Sequence, residues 1–191
     1  MNFLTQTLSS QIKMSEDALA QITAAFQENH LPRKTQLVAA GEITRQLVCI
    51  ETGYLRMYRI DEGKETTVWI GGSGRFITSI SSFIDQRPSA WSIESLTDCK
   101  LHVIKRDSHF ELCERYREWL DFENLLLAKA LSALEYRTFE LMKLKAEARY
   151  QTFFRKHPDM FLHIPSKYIA SLLGLSEETL SRLKKKDRAF S

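Results

Sequence analysis

The apolar residues of this chain change period once, and that change does most to limit the fold. From about Lys34 to Lys105 they fall in short β-rich runs: Thr35–Ala39, Leu47–Ile50, Tyr54–Ile60, Thr66–Ile70, Trp91–Leu96 and Leu101–Ile104. Turn signals separate the runs at Gly41, Thr52-Gly53, Glu62-Gly63, the Gly71–Gly74 cluster and Thr97-Asp98. Many short strands broken in this way predict an antiparallel sandwich or barrel rather than an alternating α/β fold. Ser79–Phe83 is an exception, a single helical turn expected between strands.

Helical spacing flanks the β region. Ala18, Leu19, Ile22 and Phe26 predict a helix over Ser15–Asn29 with Ser15 as its N-cap, and Asp107 is placed as the cap of a short helix to Glu114. Then Trp119, Phe122, Leu125, Leu126, Ala130, Ala133, Leu134 and Leu141 recur at three- and four-residue spacing, with no Gly or Pro after Asp107 until Pro158. So broad an apolar face exceeds what one small barrel can cover, and it predicts a partner helix, most simply from a second copy of the chain. Ala146–His157, Pro165–Leu173 and Ser176–Lys186 read as three further helices. The expected class is α+β: an N-terminal helix and antiparallel β-roll over 1–114, a long dimerisation helix over 115–143 and a helical unit over 144–191.

Charge is informative only when divided. The chain carries 27 Lys+Arg against 24 Asp+Glu, a formal +3, but Met142–Ser191 holds 11 basic and 5 acidic residues, a surplus of six. A basic C-terminal segment on a near-neutral body points to a polyanionic partner. No window approaches the roughly 18 apolar residues of a membrane span, and Met1–Lys13 lacks a signal-peptide pattern, so no membrane association and a cytoplasmic location are expected. Cys49, Cys99 and Cys113 form neither a CxxC pair nor a disulfide framework.

Pro165–Lys186 is the most telling stretch. Ile169 and Ala170 suit the buried face of a first helix, Gly174 follows where a tight turn needs a permissive backbone, and Leu180 and Leu183 return a second helix to the same core. Pro165 fits the first turn of one helix and Ser176 the cap of the next. This is the pattern of a helix-turn-helix whose second helix enters the DNA major groove. Glu177, Glu178, Ser181, Arg182 and Lys185 are left pointing outward; a glutamate can accept from cytosine and an arginine can bond both guanine acceptors. Thr179, Ser181, Lys184, Lys185 and Lys186 suit phosphate, and the cap Ser176 is counted with the DNA-binding residues.

With these residues in order, the chain resembles the Crp/Fnr family of bacterial transcription regulators from about Ser15 onward. The resemblance rests on Ala40-Gly41-Glu42, Glu51–Arg56, the hairpin Asp61–Glu65, Gly74-Arg75-Phe76-Ile77, Pro88-Ser89-Ala90-Trp91 and Gly174–Arg182. It implies a cyclic-nucleotide-binding-type β-roll, a homodimer, a near-palindromic double-stranded operator, RNA polymerase as a further partner and a small-molecule effector, here unidentified. The candidate pocket it implies comprises Ile77, Thr78, Ser79, Ile80, Arg87, Ser89, Ala90, Leu134 and Glu135.

The departures fall where the family holds its nucleotide. Thr78 and Ser79 stand in place of the Gly-Glu pair whose glutamate binds the ribose, and Pro88 precedes Ser89-Ala90 where an arginine pairs with the cyclic phosphate; Arg87 is one residue early. Leu134 and Glu135 fall where cAMP receptors use Thr-Ser on the base. Weak or absent cAMP binding is expected, because unpaired groups in a polar site forfeit kcal/mol-scale affinity. Glu177 replaces a usual basic residue, and the few residues after Lys186 leave little for the β-hairpin wing. The competing reading is a ligand-binding or protein-interaction module of the same fold without DNA binding. Catalysis is not expected: His30, His102, His109, His157 and His163 show no His-x-His pair, no metal or cofactor set declares itself, and Gly71–Gly74 lacks the P-loop Gly-Lys-Ser/Thr step.

Overall fold

The computed structural model describes residues 2–188. Asn2 accepts from the Thr5 amide at 2.8 Å to cap α1 (Phe3–Ser9), an element the sequence reading missed. Ser15 caps α2 (Glu16–Ala24) from the Ala18 amide, with Glu16 and Asp17 in the first turn. The helix expected to reach Asn29 stops at Ala24. Pro32 biases Leu31 to extended geometry, and β1 (Gln27–Leu31) pairs along its whole length with β8 (Cys99–Lys105). Phe26, at the join, turns edge-on to Trp119 in the core.

The remaining strands are β2 (Gln36–Val38), β3 (Gln46–Thr52), β4 (Leu55–Asp61), β5 (Lys64–Gly71), β6 (Phe76–Ile77) and β7 (Ser92–Ser95). Two antiparallel four-stranded sheets result, in the orders β1-β8-β3-β6 and β2-β7-β4-β5. Val48, Ile50, Leu55, Ile93 and Leu101 meet between them, the inward half of each strand's alternation. The expected interruption is present as α3 (Ile80–Asp85), closed by Gln86 in the left-handed region.

α4 (Arg106–Arg115) begins one residue before the expected cap, so Lys105 takes the cap position and Asp107 lies in the first turn. α5 (Arg117–Lys143) is about 40 Å long at 1.5 Å per residue. Its apolar face divides in two. Trp119 and Phe122 are fully buried among α1, α2 and the β-roll, so they are covered by their own chain rather than by a partner. Leu127, Leu131, Leu134, Phe139 and Met142 further along are exposed.

The chain continues through α6 (Ala146–Lys156), α7 (Met160–His163), α8 (Ser166–Leu173) and α9 (Glu177–Arg188). α7 was not anticipated, and Pro165 is the residue before α8 rather than its first turn. The expectation about a wing concerns residues outside those described. Among the described residues no helix is long and apolar enough to cross a membrane.

Two glycine turns separate strain from crowding. Gly53 and Gly63 both have positive φ, but a Cβ on Gly53 would fall 2.3 Å from the Asp98 carbonyl, whereas Gly63 faces open space. Gly53→Ala is expected to destabilise by about 2–4 kcal/mol and Gly63→Ala by about 1 kcal/mol in chemical denaturation. Equal losses would show that crowding at Gly53 is relieved elsewhere.

Candidate functional site

The α8–α9 pair has one tight turn at its centre. Gly174 adopts φ +63°, the Leu175 amide donates to Ala170 and the Gly174 amide to Ser171, which closes α8 in a Schellman arrangement. Ile169, Ala170, Leu180 and Leu183 are all buried in one cluster. Ser176 accepts from the Thr179 amide at 3.1 Å, and its hydroxyl also donates to the Thr179 hydroxyl. With that inner face fixed, Glu177, Glu178, Ser181, Arg182 and Lys185 are exposed on α9. Two of the basic residues have internal partners: Lys184 donates to Ser166 at 3.2 Å, and Lys186 pairs with Glu147 at 2.8 Å.

The residues proposed for a nucleotide pocket are placed less favourably. Ile77 is buried on β6 opposite Val48, and Thr78 donates to the Gln46 carbonyl. Ser79 and Ser89, both buried, share a 2.8 Å hydrogen bond, while Ser89 also serves the Trp91 backbone. Ile80, Arg87 and Ala90 are exposed, as are Leu134 and Glu135 on α5. Trp69 stands beside this region on β5. Its indole lies so close over Gly71 that a Cβ there would meet ring carbons at 2.2 Å.

β5 connects the β-roll to the C-terminal helices. Met57 pairs with Trp69 and Tyr58 with Thr67, so Val68 is an extra, bulged residue. β5 is also the edge strand of its sheet, and beside the bulge the Thr67 amide donates to the Ser171 hydroxyl of α8 at 2.8 Å while the Val68 carbonyl accepts from Arg137 of α5. Arg137 also donates to the Leu172 carbonyl, and Arg149 donates to the carbonyls of Leu144, Leu173 and Gly174. Buried Arg56 on β4 pairs with Glu65 at 2.5 Å and Glu94 at 2.7 Å, with its guanidinium between the rings of Tyr58 and Tyr168. Ile70 and Leu96 of the β-roll share a core with Tyr150, Met160, Ile164 and Ile169. Two cavities of about 410 and 310 Å³ border this junction.

Two clusters have the composition of metal ligands. Glu28, Glu51 and His102 converge, but His102 and Lys100 both pair with Glu51, so a lysine already supplies the cation. His109, Cys113 and Glu123 converge at the α4–α5 corner. Trp119 Nε1, a donor only, addresses His109 Nδ1 at 3.2 Å, so in the neutral ring Nε2 carries the proton and donates to Glu123 at 3.0 Å. A metal on Nε2 would need that proton removed and Nδ1 protonated against the indole N–H. The arrangement fits a hydrogen-bonded corner. Burial and then the Glu123 charge push the Cys113 thiol up to about 12; burial and then Glu51 do the same for Cys49. Neither is poised as a nucleophile at neutral pH.

The Arg56 pair makes the junction acid-sensitive. Hydrogen bonding from Arg56 holds the Glu65 carboxyl below its ordinary 4.5, outweighing the opposing effect of burial, with the charges of Arg56 and Lys167 acting in the same direction. A carboxyl depressed in the folded state stabilises above its unfolded pKa and loses that contribution as pH falls through the folded value. Thermal unfolding across the acid range is therefore expected to show a loss that Glu65→Gln reduces. An unchanged acid limb in that variant would rule out Glu65 as its source.

Residues 28–116 match the family model of the cyclic nucleotide-binding domain. The cAMP-activated global transcriptional regulator CRP of Haemophilus influenzae is 28% identical over 164 residues, covering 80% of this chain and 73% of that protein. The structure of FixK2 from Bradyrhizobium japonicum superposes with a TM-score of 0.77 at 18% identity, covering 86% of this chain and 85% of that one. A CooA mutant from Carboxydothermus hydrogenoformans gives 0.72 at 16% identity, covering 100% and 85%. Residues 28–116 thus match a cyclic nucleotide-binding domain, and the chain shares the overall fold of those solved structures.

Proposed function

We propose that the chain is a homodimeric, DNA-binding transcription regulator whose β-roll does not take cAMP in the usual way. The observation that carries the DNA reading is the division of α9. Leu180 and Leu183 anchor it, while Glu178 and Arg182, one turn apart, stand free on the opposite face of a basic segment. In this reading α9 is the recognition helix, with Arg182 and Glu178 at base edges and Ser176, Ser181 and Lys185 at phosphates. The exposed residues Leu127, Leu131 and Leu134, at four- and three-residue spacing, suit the dimer seam. Two copies joined there would present their recognition helices to a near-palindromic site about one DNA turn apart. Residues 1–114, 115–143 and 144–191 then serve as sensor-type, dimerising and DNA-reading units.

Selection of bound sequences from a random DNA pool, followed by gel shifts, tests this. Arg182→Glu is expected to erase base preference worth about 1–3 kcal/mol at its position. Lys185→Gln is expected to weaken all sequences alike and lower the salt slope by about one. A folded protein that shifts no DNA at low salt would instead support the non-DNA module.

Loss of the usual cAMP contacts is supported by Ser79, whose hydroxyl is occupied by Ser89, and by Leu134, which brings no hydrogen-bonding group. Isothermal calorimetry is expected to give no micromolar cAMP binding. Micromolar or tighter affinity would overturn this part of the reading.

A further inference from the structure

The larger cavity, about 410 Å³, has walls from the β-roll, from α5 at Ala133 and from the α6–α7 corner. Its size is within the range of small-molecule sites. Tyr54 and Trp69 contribute aromatic walls, and Arg75, Lys156 and His157 contribute cationic or titratable nitrogen, against the single carboxylate of Asp159. Lys156 approaches Glu140 only at 3.9 Å, on α5, and Arg75 has no ion-pair partner among the described residues. Two cations therefore face the cavity, with Asp159 in its lining and Glu140 beside Lys156 as the nearby acids, and Arg75 is left without an ion pair among the described residues.

A second observation agrees with that balance. Burial lowers the pKa of His157, and the charges of Arg75 and Lys156 lower it further, so both cations act on the same wall of the cleft. An anion bound there would offset both charges. The smaller cavity shares Trp69, Lys156 and His157 and extends the space beneath α5.

We propose that this cleft binds a small ring-bearing anion, an aromatic or heteroaromatic phosphate or carboxylate. Arg75 and Lys156 hold the anionic group, and the flat part lies against Tyr54 and Trp69. The site is separate from the Ser79–Ser89 cassette, and it takes walls from both the β-roll and the C-terminal helices. A ligand that needs both walls stabilises the docked arrangement and shifts the population of chains with the helices free to move. The binding step stands independently of the DNA reading; only its regulatory consequence rests on it.

Isothermal calorimetry on the full chain with phenyl phosphate, benzoate and adenosine 5′-monophosphate tests binding, with inorganic phosphate and phenol as anion-only and ring-only controls. At least one ring-bearing anion is expected to bind saturably, with both controls weaker. Arg75→Gln and Lys156→Gln, both at accessible positions, are each expected to weaken it about tenfold, as the loss of one charge-assisted hydrogen bond would. Arg87→Gln is expected to leave it unchanged. Saturable binding by none of the three probes would overturn the proposal. So would equal binding of inorganic phosphate, or loss through Arg87 rather than Arg75. Gel shifts with the selected DNA, run in parallel, report separately on the DNA reading, since its failure would leave the binding heat intact.

Discussion

The C-terminal end of α8 presents carbonyls that its own helix cannot satisfy, and two arginines meet them. Arg137 reaches Leu172 from α5, and Arg149 reaches Leu173 and Gly174 from α6. Cationic donors at a helix C-terminus gain from the aligned peptide dipoles as well as from the hydrogen bonds themselves. Arg137 also holds the Val68 carbonyl, so one side chain joins three elements distant in sequence: β5, α5 and α8. Burial lowers its pKa, yet it has carbonyls rather than a carboxylate as hydrogen-bond partners, which makes its position depend on those oxygens staying in place.

Around this contact the junction has the character of an interior. Ile70 and Leu96 are buried with Ile169 and Leu180, and Arg56 is sandwiched between one ring of the β-roll and one of α8. A buried guanidinium is tolerable only when charge and donors are both met, and Glu65, Glu94 and Thr67 meet them. Moving α8 away would remove the Tyr168 face and expose Thr67 and Val68 to water. The orientation of the C-terminal helices is thus coupled to a small set of polar contacts over an apolar patch.

The strand runs, the helical turn after β6 and the α8–α9 turn were legible because each depends on local chemistry: alternation, a glycine at positive φ, a serine cap. β1 was not, because Gln27-Glu28-Asn29 carry no strand period and become a strand only through pairing with β8. β6 is two residues long and exists through Val48 and Cys49. α1 and α7 are short, and their helical character is fixed by packing rather than by a long period. The α5 stripe was visible as apolar, but only the fold separates Trp119 and Phe122, which serve their own core, from Leu131 and Leu134, which do not. Among candidate site residues, α9 was readable from its leucines, whereas the cleft with Arg75, Lys156 and His157 draws on residues some 80 positions apart in sequence.

The bulge in β5 brings these threads together. As an edge strand β5 leaves alternate backbone groups without a strand partner, and around the extra residue the Thr67 amide meets Ser171 while the Val68 carbonyl meets Arg137. The next two positions continue the connection, since Trp69 lines both cavities and Ile70 enters the shared core. Four consecutive residues therefore face, in turn, α8, α5, the cleft and the helical core. A shift at the cleft need not travel along a loop to reach α8, because the strand that forms one wall also holds the helix. A molecule bound in the cleft would therefore reach the C-terminal helices most directly through β5.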